Sequence, residues 1–313
     1  MNLICANQVA VEPGKVVYTA WLNERGGFET DLTVTRLSER EYLVITAGAC
    51  QMRDLAWLKR HTAEEDGVQV ADVTSAYAVL SIMGPNSRKL LSKLTDEDLS
   101  NDHFPFGTGK EIEIGYSKAL ALRVTYVGEL GWELYIPSEF AQDLYDRLLE
   151  AGKEMGLKHA GMHALNSLRL EKAYRHWGHD ITDEDTPLEA GLSFAVAWDK
   201  SGGFLGREAL IRKKENGLLK KRMVQFALEN PEPLLYHNEP IWCGNTIVGD
   251  TTSGMYGHNI GSCLGMGYIE NLEGVNEEWV ESQKFEIEVA GERYPAKASL
   301  KAFYDPGNAR IRM

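Results

Sequence analysis

The chain has 313 residues, 43% of them hydrophobic and 25% charged, with a formal net charge of -13. That length accommodates about two or three domains with sizeable cores, and the acidic balance argues against a nucleic-acid partner, which requires a basic footprint. No run of about eighteen apolar residues is available to span a membrane, and the opening MNLICANQVAVEPG lacks the basic and apolar regions of a secretory signal.

Four scattered cysteines (Cys5, Cys50, Cys243 and Cys263) predict a reducing compartment, cytoplasm or mitochondrial matrix, and neither a disulfide framework nor a zinc knuckle. An anionic small molecule would need a local cluster of Arg or Tyr to offset the overall charge.

In chain order, KVVYTAWL (15–22) and FETDLTVTRL (28–37) flank an Asn/Gly-rich loop and predict a β-hairpin. The period of two puts Phe28, Leu32 and Val34 on one face of the second run and Glu29, Asp31, Thr33 and Thr35 on the other. Asp is disfavoured in strands because its short side chain competes for nearby backbone groups. Asp31 is therefore either wetted on an outer face or aimed at something. EYLVITA (41–47) predicts a third strand and 50–66 a surface helix, with VQVADV and YAVLSIMG as short strands after it. Gly84-Pro85 opens a helix over SRKLLSKL, with proline in its first turn. Two or three strands alternate over 110–136, and helices follow at about 138–155 and 161–175, the second with Leu165, Leu168 and Ala173 on or near one face. SFAVAW predicts a strand and 206–216 a short helix. Beyond about 220, short β-like runs separated by Gly, Asn and Pro predict an all-β barrel or sandwich.

GPNSRK and GTGK lack the GxxxxGK[ST] spacing that cradles phosphate, and they read as turns. His159 and His163 are four apart, but without the general-base glutamate of HExxH they do not define a metal site. No serine or cysteine lies in a nucleophile elbow. In YVGELGWELY, Gly128 and Gly131 bracket a turn and Glu133 follows between Trp132 and Leu134. Two readings stand: a hairpin with a solvated Glu, or a half-buried carboxylate that needs donors, such as the adjacent ring N–H and amino group of a pterin edge. Arg169, on the helix carrying Leu165 and Leu168, either lays its stem on apolar surface or reaches a ligand carboxylate by a two-pronged bond.

NERGGFETDLTV, GPNSRKLLSKLT, TYVGELGWELY, ALNSLRLEKAYRHWGHDI, PLEAGLSFAV, GGFLGREAL, TTSGMY and the final FYDP occur in the order found in one family. Over essentially residues 3 to 313 the chain resembles the folate-binding aminomethyltransferases, which include the T-protein of the glycine cleavage system. It is most similar there to the C-terminal folate half of dimethylglycine and sarcosine dehydrogenases. The resemblance implies an α+β, multidomain, cloverleaf-like fold around a tetrahydrofolate site, with a C-terminal β-barrel or sandwich domain. Its divisions fall at 1–70 with 186–218 (folate-binding α+β), 71–185 (a second α+β domain) and 219–313 (the β domain). Asp31 falls on the family's essential aspartate, and Tyr18, Thr33, Tyr126, Glu133 and Arg169 on its folate-binding positions. Thr30-Asp31 and Thr46-Ala47-Gly48 lean toward the dehydrogenase-associated branch rather than the lipoyl-linked one. Gly203 stands where an iron–sulfur-assembly branch has cysteine. The family's extra N-terminal strand–helix segment is missing from this sequence, which implies a natural short form, a fragment, or a segment supplied by another chain.

The implied activity is transfer of a one-carbon unit from an N-methylated glycine or related amine to tetrahydrofolate, giving 5,10-methylenetetrahydrofolate, with a flavin oxidase chain as the partner that activates the carbon. A folate-binding regulatory subunit without chemistry and a tetrahydrofolate-dependent O- or S-demethylase are the alternatives.

Overall fold

A computed structural model describes residues 1–62 and 67–313. The expected hairpin is present as β1 (Val16–Leu22) and β2 (Phe28–Arg36), followed by β3 (Tyr42–Ile45) in a sheet of that order. Burial along β2 alternates as the sequence requires as far as Val34: Phe28, Thr30, Leu32 and Val34 are buried, whereas Glu29, Asp31 and Thr33 are half-buried; Thr35, expected on the face of Asp31, is buried as well. Then come α1 (Gln51–Arg60), β4 (Tyr77–Met83), α2 (Ser87–Leu91), β5 (Gly109–Ile114), β6 (Ser117–Leu122) and β7 (Gly131–Pro137). Three helices follow, α3 (Ala141–Gly152), α4 (Met162–Glu171) and α5 (Arg207–Glu215). The remainder is β8 (Lys221–Leu228), β9 (Pro240–Cys243), β10 (Thr246–Gly257), β11 (Ser262–Glu270), α6 (Glu277–Ser282), β12 (Phe285–Val289) and β13 (Glu292–Ser299).

Two expected strands do not form. Residues 68–73 are almost wholly exposed, so they have no face to bury, and Asp72 instead accepts from the Thr74 N–H in a local turn. The apolar run SFAVAW contains a 3₁₀ turn at Ser193–Ala195, because short apolar runs carry no period that separates strand from buried loop. The helix expected over 50–66 extends through Arg60, and its positions 63–66 lie outside the described residues.

The chain divides into two units. One comprises Met1–Gln8, Thr19–Asp31 and Ala160–Gly307; the other comprises Val9–Tyr18, Leu32–His159 and Asn308–Met313.

In the first unit the C-terminal strands close into a six-stranded barrel, in the order β10-β11-β8-β13-β12-β9. Alternate residues point inward, so Val224, Phe226, Ile241, Phe285 and Ile287 fill the interior. Helix α4 lies against β10 and β11, with Leu170 among Met223, Leu264 and Met266. The helix was expected to run to 175, but it stops at Glu171 because Ala173 turns left-handed (φ 52°). Tyr174 N–H then bonds the Arg169 carbonyl and Ala173 N–H the Leu170 carbonyl, the paired bonds of a Schellman end. Leu165 and Leu168 are only half-buried; the deeply buried side of α4 is Ser167, Arg169, Leu170 and Glu171.

In the second unit β4, β7, β6 and β5 form an antiparallel sheet in that order. One face carries Ile112, Ile114, Trp132, Leu134 and Ile136 into a core with Leu144 and Leu148 of α3 and Leu90 and Leu91 of α2. The period of two therefore turns Glu133 and Tyr135 to the opposite face. Gly131 opens β7 because a Cβ there would strike the Ile82 carbonyl oxygen across the ladder.

Candidate functional site

Glu133 is half-buried on β7, opposite Ser81 of β4 and Leu122 of β6. Its Oε2 accepts a 2.7 Å hydrogen bond from the Tyr135 hydroxyl. Burial pushes the Glu133 carboxyl above the ordinary carboxylate range, and the Tyr135 bond draws it part of the way back. The same burial, together with the neighbouring carboxylate, holds the Tyr135 phenol far above its usual value, so it stays a donor. Tyr126 is half-buried in the loop before β7, where Gly128 takes a left-handed φ of 72°. Tyr18 and Thr33 are half-buried on β1 and β2 and count with the same unit.

Asp31 and Arg169 count with the first unit. Asp31 is half-buried and shares the face of β2 that carries Glu29 and Thr33, away from the core-facing Thr30 and Leu32. Arg169 is a buried ion-pair partner rather than a snorkelling surface cation. Its guanidinium donates to Asp180 Oδ2 (2.7 Å), Ser253 Oγ (2.8 Å) and the Tyr174 carbonyl (3.1 Å), with a longer bond to Asn166 Oδ1 (3.5 Å). Arg169 and Asp180 side chains are 5% and 0% exposed. Four of the five N–H donors that a guanidinium has thus meet internal partners, which leaves one for any other group.

The rest of this helix end is built alike. Glu171 accepts from the Asn259 N–H and side-chain amide (2.5 and 2.6 Å), and Lys172 pairs with Asp305 (3.3 Å). Three charges from ALNSLRLEKAY therefore reach three separate segments of the first unit. His176, beside this cluster, is pushed below its usual range by burial and by the Arg169 charge, and its ring lies 4.7 Å from that of His179. His159 bonds the Tyr145 hydroxyl (3.0 Å). Among the described residues no group of three or more His, Cys, Asp or Glu side chains is placed to hold a metal ion, and no helix is long and apolar enough to cross a membrane.

Sequence reasoning passed over three partners. Tyr135 was within reach of the strand period, two residues from Glu133 on the same face. Asp180 and Ser253 had no local signal, since they lie 11 and 84 residues from Arg169 in sequence.

The chain matches the glycine cleavage T-protein N-terminal domain over residues 1–200 and its C-terminal barrel domain over residues 221–305. It is 44% identical over 304 residues to a 4-methylaminobutanoate oxidase (formaldehyde-forming) of Paenarthrobacter nicotinovorans, covering 97% of this chain and 36% of that protein. It is 38% identical over 299 residues to the mitochondrial dimethylglycine dehydrogenase of Rattus norvegicus, covering 95% of this chain and 34% of that protein. The chain thus spans about a third of the length of these relatives. Its fold matches the glycine cleavage system aminomethyltransferase T of Bartonella henselae with a TM-score of 0.79 at 24% identity, over 96% of this chain and 79% of that one. With both domain models matched in order and the barrel closed as that fold requires, the chain belongs to the glycine cleavage T-protein family of aminomethyltransferases and the demethylating dehydrogenases related to them.

Proposed function

We propose that the protein transfers a one-carbon unit at the formaldehyde oxidation level to tetrahydrofolate, forming 5,10-methylenetetrahydrofolate from an N-methylated glycine or related amine. The observation that carries this reading is Glu133. A carboxylate held in a desolvated position, with its Oε2 fixed by one phenol, is stabilised by a ligand that brings two adjacent N–H donors. The 2-amino and N3–H edge of a reduced pterin has that donor set. Tyr126, Tyr18 and Thr33 are the side chains we assign beside it. Arg169 contributes no more than one hydrogen bond, its other donors being held by Asp180, Ser253, Tyr174 and Asn166.

When bound, tetrahydrofolate supplies two nitrogen nucleophiles that take up the carbon as a methylene bridge. From an iminium donor, the balance is release of the free amine and one proton. Asp31 is the group we assign to that proton: an ionised carboxylate on β2 orients the amine, offsets developing positive charge and accepts the proton. The formaldehyde-forming oxidase among the relatives supports a donor at this oxidation level, and we assign oxidation of the methylamine itself to a partner flavin enzyme.

The direct test is titration with tetrahydrofolate. Micromolar binding that Glu133→Ala abolishes is expected; no binding at millimolar ligand would remove the proposal. Product analysis separates the demethylase alternative, which would give the 5-methyl rather than the 5,10-methylene product.

A further inference from the structure

We infer that Tyr135 is a positioning residue for the Glu133 carboxylate, holding it ionised and fixing its orientation for a ligand with paired N–H donors. The inference rests on the proposed role of Glu133 as the acceptor for that ligand.

The geometry comes from one strand. Glu133 and Tyr135 are two apart on β7, on the face turned away from Trp132, Leu134 and Ile136. The Tyr135 side chain has little freedom to move: the residue is 7% exposed, and the ladder sets it against Val79 and Leu120. Its hydroxyl therefore stands at a fixed point, 2.7 Å from Glu133 Oε2. A carboxylate offers about four lone-pair sites, so one bond from Tyr135 leaves each oxygen able to accept from a bidentate partner. The groups across the ladder from Glu133, Ser81 and Leu122, carry no charge, and Tyr135 is the titratable group that the geometry places on it. Burial works against the charged form and the phenol works for it.

A purely structural role would need only the ring. Tyr135→Phe keeps the ring and removes the donor, so the two roles separate in a pH profile of tetrahydrofolate binding measured between pH 5 and 8. Glu133 binds donors only when ionised; with its pKa raised, affinity is full above that pKa and falls as pH drops through it. Loss of the phenol raises the pKa further. In Tyr135→Phe the acid limb is expected to move up by about one pH unit and affinity on the plateau to fall about tenfold, the scale of a hydrogen bond to a charged group. Replacing Tyr135 with 3-fluorotyrosine, a stronger donor in the same shape, should move the limb the other way. In a Glu133→Gln background the limb should vanish, and Tyr135→Phe should add less than twofold.

An unshifted limb in both Tyr135 variants, with wild-type affinity, overturns the inference while leaving Glu133 as the acceptor. Wild-type binding by Glu133→Ala or Glu133→Gln instead overturns the reading of Glu133 on which it rests.

Discussion

Replacing Arg169 with methionine removes the guanidinium and keeps most of the side-chain volume. Asp180, with a fully buried side chain, would retain the Thr252 hydroxyl (2.5 Å) and the His176 N–H (2.9 Å) as donors but lose the cation that pairs with it. Ser253 Oγ and the Tyr174 carbonyl would lose a donor as well. Removing one member of a buried ion pair costs about 3–5 kcal/mol, because the other charge stays desolvated. Since four internal bonds go with this guanidinium, the upper half of that range is expected. Asp180→Asn should cost less, since an amide oxygen at the Oδ2 position still accepts from Arg169 and the His176 N–H, and the Thr252 hydroxyl can turn to the Met266 carbonyl. The double variant Arg169→Met/Asp180→Asn should be more stable than the sum of the two single losses, by about 1–3 kcal/mol of coupling. Urea unfolding followed by tryptophan fluorescence measures all three. A loss under about 1 kcal/mol in Arg169→Met, or strict additivity in the double variant, would refute the claim that this arginine is held by the fold.

Asp31→Asn preserves shape and removes charge, so tetrahydrofolate affinity should stay within about tenfold while transfer falls by roughly 10²–10⁴; equal turnover in the two proteins would remove Asp31 from the chemistry. Gly131→Ala places a methyl group against the Ile82 carbonyl oxygen, a backbone atom that cannot step aside, and should cost about 1–3 kcal/mol in a thermal or urea melt. Because Glu133 is two residues further along β7, tetrahydrofolate binding should weaken with it. Cys5 and Cys263 are fully buried, and burial pushes the Cys5 thiol up to about 11. Alkylation of the native protein at pH 8 should therefore mark Cys50 and Cys243 first, with Cys5 and Cys263 labelled only after denaturation; mass mapping of the modified peptides reads the order.

Much of the architecture was legible because it depends on local period. Alternation along FETDLTV put Phe28, Leu32 and Val34 inside and left Asp31 half-exposed, as found. The dense short runs beyond residue 220 became a closed barrel. The misreadings share a cause. VQVADV and SFAVAW are β-rich in composition, but a strand also needs a partner edge, and composition says nothing about that. Helix α4 stops early because Ala173 adopts a conformation that its identity does not advertise.

By itself the sequence determined most of the elements, the all-β character of the C-terminal part, the ordered motifs that identify the family, and the identities of the chemically interesting carboxylates, each read from patterns within a few residues along the chain or from the order of such patterns. Tertiary structure alone decided what those side chains meet: Arg169 on Asp180 and Ser253, Glu171 on Asn259, and a desolvated Glu133 with one oxygen on Tyr135. The reason is physical. Whether a charge is screened by water or fixed by a partner depends on burial and on groups brought in from as far as 133 residues away, and no local pattern encodes that distance.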